Sequence, residues 1–170
     1  HLRGKDRRRE HERFLEWLVE QVDALKPHAL IVAGDVYDTI APPNYAQRML
    51  FDALRRLTET KDVQVILIGG NHDSAATLNA PRHLLKLFGI HLIGGATSDP
   101  ADEVIPITDA KGEIVGVVCA VPYLRDRDVR KSLPGETFDD KRAATVRGIR
   151  AHYERVADLA GAIRKKWSKK

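Results

Sequence analysis

The sequence is poor in cysteine and in long apolar stretches, and each shortage excludes a class of protein. Its single cysteine, Cys119, cannot form a disulfide within the chain or build a thiolate zinc site, which favours a reducing, cytoplasmic location. The apolar runs are far shorter than the roughly 20 residues that cross a bilayer, so no membrane span is predicted. The first ten residues are mostly charged and do not resemble a secretory leader.

The composition that remains is that of an ordinary globular protein, with 43% hydrophobic and 31% charged residues among 170. This length fits one domain with a buried core, and we interpret residues 1–170 as a single unit with no second domain. The net charge is +4, and residues 164–170 carry five positive charges, so the rest of the chain is close to neutral. This basic tail and a second basic run over residues 5–13 are either solvated helix faces or contacts to a phosphate backbone.

Apolar periodicity and turn residues predict an alternation of helices and strands. Two strands in the second half of the chain are joined by a turn at residues 109–112, which is typical of a hairpin. The order of elements predicts a layered α/β domain whose first sheet is parallel. Helices are predicted over about 6–25, 42–58, 80–88 and 139–166, and strands over 28–34, 63–69, 90–93, 103–107 and 114–121.

Two polar segments decide the functional interpretation, because each directly follows an apolar run typical of a buried strand. Gly-Asp-Val-Tyr-Asp occupies residues 34–38, and Gly-Asn-His-Asp occupies residues 70–73. Ligands of open α/β sheets bind at the edge where such strands end. Carboxylate, carboxamide and imidazole groups suit divalent ions such as manganese. The two segments therefore predict half of a two-metal phosphoesterase site.

The chemistry of phosphodiester hydrolysis suggests a role for each polar side chain. A bridging carboxylate keeps two cations close together, and Asp35 is the candidate bridge. Asn71 offers a neutral oxygen ligand. His72 is positioned to give a proton to the leaving oxygen or to stabilise the charge that builds on the phosphate. Asp73 or Asp38 would fix the tautomer of the imidazole.

Structural interpretations of the same residues stay open at this stage. Asp35 alone is also typical of a turn after a strand, and Asp73 and Ser74 together suit a helix N-cap. Tyr37 is interpreted as a packing residue. For Asp38 two roles stay open, which are support beside the metal ligands and a hydrogen bond within the turn. The other histidines are interpreted as surface or structural residues: His11, His28, His83, His91 and His152.

Segments 34–38 and 70–73 resemble the second and third signatures of the calcineurin-like metallophosphoesterases. Their surroundings over residues 31–46 and 70–79, together with residues 119–128, resemble one branch of that family, the SbcD chains of bacterial SbcCD nucleases. The resemblance implies an α/β/β/α sandwich, two Mn²⁺ ions with Mg²⁺ as the alternative, and exonuclease and endonuclease activity in DNA repair. It also implies DNA, an SbcC-type coiled-coil ATPase and a second copy of the same chain as partners.

The resemblance carries individual roles onto matching positions of this sequence. It implies that Asp35 bridges the metals, that Asn71 is a ligand, and that His72 assists catalysis with support from Asp73. Asp38 falls where some members have histidine. An intact first signature, Asp-x-His-Leu-Gly, and the later Gly-His segments are not found, so we expect an incomplete sandwich, truncated at both ends, that binds metal poorly and is inactive by itself.

Two other functions remain as alternatives. One is a phosphatase or phosphodiesterase of another substrate, although the residues around 42–46 and 122–125 favour the nuclease branch. The other is a docking module that keeps the fold but binds no metal, which a manganese titration would distinguish.

Overall fold

The computed structural model describes residues 6–59 and 63–167. Lys5 of the basic run and residues 168–170 of the basic tail therefore lie outside the described residues. The helices are α1 (Arg8–Leu25), α2 (Asn44–Glu59), α3 (Ala75–Asn79), α4 (Arg82–Lys86), α5 (Asp126–Val129) and α6 (Phe138–Trp167), with a 3₁₀ turn at Pro100–Glu103. The strands are β1 (Ala29–Ala33), β2 (Gln64–Ile68), β3 (Ile90–Ile93), β4 (Val104–Thr108) and β5 (Ile114–Cys119).

The first sheet is parallel, in the order β1-β2-β3, as the sequence predicts. Its central strand β2 is a continuous apolar run because both of its faces are covered. Val65 and Leu67 point into a cluster that the surrounding helices complete, and Ile66 points to the opposite face. The helical side of this cluster comprises Val22, Leu54, Leu57, Leu78 and Leu85.

The second sheet is the antiparallel hairpin of β4 and β5, and it packs against the other face of the first sheet. Ile66 and Ile93 of the first sheet meet Ile105 and Ile107 of β4 there, and all four are buried. Helix α6 contacts both β4 and β5 and buries Val156. The layers are thus helix, sheet, sheet and helix, which confirms the fold that the resemblance implied.

The bounds of the helices around Pro81 differ from the prediction. One helix was predicted over 80–88, and the structure places α4 there with Pro81 at its N-cap, whereas the preceding short helix α3 was not predicted. Proline has no backbone N–H and favours the first turn of a helix, so it separates the two helices. Ser74 caps α3 by accepting a hydrogen bond from the Thr77 amide at 3.3 Å, which confirms the predicted N-cap.

None of the helices in the described part of the chain has the length and apolar character needed to span a membrane.

Candidate metal centre

The two polar segments lie side by side beyond the carboxyl ends of β1 and β2. The Gly34 amide donates to the Ile68 carbonyl at 3.0 Å, which extends the pairing of the two strands by one step. The backbone then turns, because Gly34 and Asp35 both have positive φ angles of 92° and 47°. Aspartate enters this left-handed region more readily than most residues. The turn brings the loop of Asp35 beside the loop that carries Asn71 and His72.

Asp73 joins the two loops from inside the protein. Its side chain is fully buried, and its Oδ2 atom accepts hydrogen bonds from the Val36 amide at 3.0 Å and the Gly70 amide at 2.9 Å. Its Oδ1 atom accepts a third from the Tyr37 amide at 2.9 Å. Three N–H donors compensate the buried charge. One carboxylate therefore fixes the spacing between the loops.

This geometry corrects the role that the sequence suggested for Asp73. We expected its carboxylate to hold the imidazole of His72 as part of the catalytic machinery. Within the described parts of the chain, however, the hydrogen bonds to that carboxylate all come from backbone amides. Asp73 and His72 are adjacent in the loop, and the Asp73 side chain is directed into the protein while His72 is exposed. Asp73 thus holds the loops and not the ring.

His72 is oriented by the opposite loop. Its backbone amide donates to Oδ1 of Asp35 at 3.2 Å, and its ring Nδ1 lies 3.3 Å from the backbone carbonyl oxygen of Asp38. A carbonyl oxygen only accepts, so this contact requires the proton on Nδ1 and leaves Nε2 free for chemistry. Asp38 therefore supports the ring through its backbone, whereas the sequence suggested its carboxylate.

The close approach of the loops requires glycine at position 70. A Cβ atom there would lie 2.1 Å from Oδ1 of Asp35 and 2.3 Å from its backbone nitrogen. Asn71 follows directly and is exposed, as are Asp35 and His72. The three predicted site residues thus lie on two touching loops at one accessible rim of the first sheet.

Tyr37 belongs to the core beneath this rim. It is 9% exposed and packs in the helix-side cluster, which confirms the packing role predicted for it. Burial, with a further contribution from the charge of Asp73, raises the pKa of the Tyr37 hydroxyl to about 12.

The remaining histidines lie away from the rim. His11, His28 and His83 are exposed, and burial together with the charge of Lys86 lowers the pKa of His91. His152 is buried and pairs with Glu103 at 2.7 Å, a partner 49 residues away that the sequence did not indicate.

The donor chemistry of the rim fits a divalent ion. Asp35 offers a carboxylate, Asn71 an amide oxygen and His72 an imidazole nitrogen, which suit hard and borderline metals. The count of donors is short of a complete coordination sphere, since residues 6–59 and 63–167 contain no group of three or more His, Cys, Asp or Glu side chains placed to hold a metal. These residues are thus suited to form one part of a metal centre.

The family follows from comparison with known proteins. Residues 1–154 match the calcineurin-like phosphoesterase family, and the chain belongs to that family. Its members are metallophosphoesterases, which act with divalent metal ions.

Individual relatives show which members of the family the chain resembles. The chain is 34% identical to the SbcD chain of the SbcCD nuclease of Escherichia coli K12 over 151 residues, covering 89% of this chain and 36% of the relative. It is 35% identical to the protein of the same name from Rhodobacter capsulatus, covering 95% of this chain and 42% of the relative. The Bacillus subtilis protein of that name is 31% identical over 90% of this chain and 36% of the relative. The chain therefore spans about two fifths of the length of these relatives.

Proposed function

We propose that this chain carries part of the two-metal centre of a DNA nuclease that hydrolyses phosphodiester bonds during DNA end processing and repair. One observation carries the proposal: the Asp73 carboxylate joins the two loops so that Oδ1 of Asp35 lies 3.2 Å from the backbone nitrogen of His72. The family and the nuclease names of the relatives support the same reaction class.

In this proposal Asp35 and Asn71 are the metal ligands that the chain contributes. Asp35 and Asn71 would hold the divalent ions, for which we propose Mn²⁺ with Mg²⁺ as the alternative. Such ions would supply neutralisation of phosphate charge and activation of water. The left-handed turn at Asp35 and the absence of a side chain at Gly70 allow the carboxylate to approach the neighbouring loop.

His72 handles the proton in this proposal. The Asp38 carbonyl holds Nδ1–H, which directs the opposite ring nitrogen, Nε2, away from that loop. When His72 is protonated, Nε2–H can donate to a phosphate oxygen or give its proton to the leaving oxygen. Asp73 acts indirectly, by keeping the backbone of both loops in place.

The proposed partners follow from the names of the relatives and from charge. An SbcD chain of an SbcCD nuclease implies a second component, for which we propose an SbcC-type ATPase with a long coiled coil. We also propose that the complete protein forms a homodimer, acts in the cytoplasm and binds DNA through phosphate contacts. Arg164 and Lys166 at the end of α6 offer positive charge for such contacts. We expect the chain by itself to be inactive, because residues 6–59 and 63–167 supply only a part of the ligands.

The decisive experiment measures hydrolysis of linear duplex DNA by the full-length protein with its ATPase partner and Mn²⁺. His72→Ala is expected to lower kcat by about 10²- to 10⁴-fold, because the proton donor is lost. His83→Ala is the matched control, since His83 is exposed on α4, and its activity should stay close to wild type. Full activity of His72→Ala would contradict the role of this residue. Turnover of a cyclic nucleotide without turnover of DNA would contradict the substrate.

A further inference from the structure

The segment that leaves the second sheet, residues 120–125, lies against the loop that carries Asn71 and His72. Its sequence resembles the nuclease branch of the family, yet none of its residues belongs to the candidate metal centre. Two of its members reach the loop directly, although they lie about 50 residues further along the chain. The fold, and not proximity along the chain, therefore brings these residues into contact.

Residues of this segment form hydrogen bonds with both ends of the loop. The Tyr123 amide donates to the Gly69 carbonyl at 2.9 Å, where the loop leaves β2. The guanidinium Nη2 of Arg125 donates to the Asp73 carbonyl at 2.9 Å, where the loop approaches α3. Gly70, Asn71 and His72 lie between these two points. The backbone that carries the candidate ligand and the candidate proton donor is thus held at each end by the segment that follows the second sheet.

Arg125 is itself held in place by the helical layer. Its backbone amide donates to Oδ2 of Asp128 at 2.9 Å at the start of α5. The neighbouring residue, Asp126, accepts hydrogen bonds from Arg130 at 2.6 Å and from the Thr145 hydroxyl of α6. The guanidinium therefore projects from a base that is attached to α6.

Arg125 and the Asp73 side chain fix the same residue in different ways. The Asp73 carboxylate joins the two loops, and Arg125 binds the Asp73 carbonyl from the side of the second sheet. The His72 ring depends on this backbone, because its described side-chain hydrogen bond is a single one at 3.3 Å. We propose that Arg125 is a positioning residue of the metal centre, which holds the loop so that Asn71 and His72 face the substrate. The claim that Arg125 positions a metal ligand and a proton donor rests on the proposed function, whereas the claim that it holds the loop rests on the hydrogen bond to the Asp73 carbonyl.

The test compares Arg125→Met, which keeps the length of the side chain but removes its donors, with Arg127→Met as the matched control. Arg127 lies two positions further on in α5, its side chain is 78% exposed, and its ion pair with Asp128 is long at 3.9 Å. Both variants are made in the full-length protein with its ATPase partner. Amide hydrogen exchange at Gly70 and His72 is measured together with kcat and KM on duplex DNA.

Arg125→Met is expected to speed amide exchange at Gly70 and His72 by about tenfold or more, while exchange in α6 of the same variant stays near the wild-type rate. In the control variant Arg127→Met, exchange at Gly70 and His72 should stay near the wild-type rate. Arg125→Met should lower kcat by about tenfold with a smaller change in KM, since misplaced catalytic groups affect the transition state more than binding. Arg125→Lys, which keeps one donor group, should recover part of both effects.

Each of the other results has a distinct meaning. Unchanged exchange at Gly70 and His72 in Arg125→Met overturns the proposal. Faster exchange with unchanged kcat overturns the claim that the contact serves the centre. If the wild-type protein does not cut DNA but Arg125→Met still exchanges faster, the proposed function is overturned and the contact between Arg125 and the loop stands.

Discussion

At the scale of single residues, the most consequential side chain is Asp73, which is directed away from the rim and from the imidazole beside it. Its carboxylate accepts three backbone hydrogen bonds from two loops while fully buried. A buried carboxylate is stable only when donors compensate its charge, and here those donors come from the backbone of the site itself. The stability of the fold and the geometry of the candidate metal centre therefore depend on the same group.

Asp73→Asn is expected to destabilise the protein by about 2–4 kcal/mol, because an amide offers one acceptor oxygen and turns an NH₂ group toward backbone donors. The free energy of unfolding is measured by urea denaturation. Asp38→Asn is the control, since the Asp38 side chain is exposed and its described contact to His72 uses the backbone carbonyl. A cost for Asp73→Asn no larger than that for Asp38→Asn would contradict this account.

The sequence predicted which residues share the rim, but not how they are held. Asp35 and His72 were predictable together because parallel strands end at the same edge of a sheet. The direction of the Asp73 side chain was not, since it depends on which backbone N–H groups are free beneath the loops. The contact between Arg125 and the Asp73 carbonyl spans 52 residues, and only the packing of the two sheets creates it.

At the scale of elements, helix α6 is attached through a buried polar pair to the 3₁₀ turn that precedes β4. Glu103 is fully buried, and its Oε2 atom lies 2.7 Å from Nε2 of His152 on α6. Its Oε1 atom accepts hydrogen bonds from both the amide and the hydroxyl of Thr97 at 2.9 Å. Both carboxylate oxygens are thus used, and removing His152 leaves Oε2 buried without its partner.

His152→Ala is expected to cost about 3–5 kcal/mol of unfolding free energy, because Glu103 remains buried without its partner. Amide exchange along α6 should rise with it, since the helix loses a fixed point of attachment. Tyr153→Ala is the matched control one position further along the helix, where the side chain is 52% exposed. If the two variants unfold at the same urea concentration, the pair does not anchor the helix.

The elements themselves were largely predictable. Strands β1 and β2 are continuous apolar runs between turn residues, and the structure places them within one or two residues of the predicted bounds. Of the two helices on either side of Pro81, only the one that follows it was predicted, because the 5 residues of α3 carry too little apolar periodicity. The short helix α5 lies where neither a helix nor a strand was predicted, because its 4 residues carry too little pattern.

At the scale of the whole molecule, the two sheets are joined by a small apolar cluster. Ile66 lies at its centre, fully buried on the face of β2 opposite to the helices, against Ile105 and Ile107 of the hairpin. Periodicity predicted a parallel sheet and a hairpin but not that they stack, and the stacking was expected from the resemblance alone. The position of Arg125 relative to the rim depends on this stacking.

Ile66→Ala is expected to destabilise the protein by about 2–5 kcal/mol through the cavity it leaves between the sheets. Because the layers share this cluster, they should still unfold together. Fluorine labels on Trp17 of α1 and Trp167 of α6 report on the two outer layers during urea denaturation. Val115→Ala, at an exposed position of β5, is the control. Separate midpoints for the two labels would show that the layers unfold independently.

The joining of two loops by one carboxylate has a consequence for redesign of the rim. Replacing the proposed ligands to suit an ion of different radius would require the gap between residues 35 and 71 to widen or narrow. Asp73 binds the amides of Val36, Tyr37 and Gly70 at once, so neither loop can be adjusted alone. A library aimed at new metal selectivity should therefore keep positions 34, 70 and 73 constant and vary exposed positions such as 38–41.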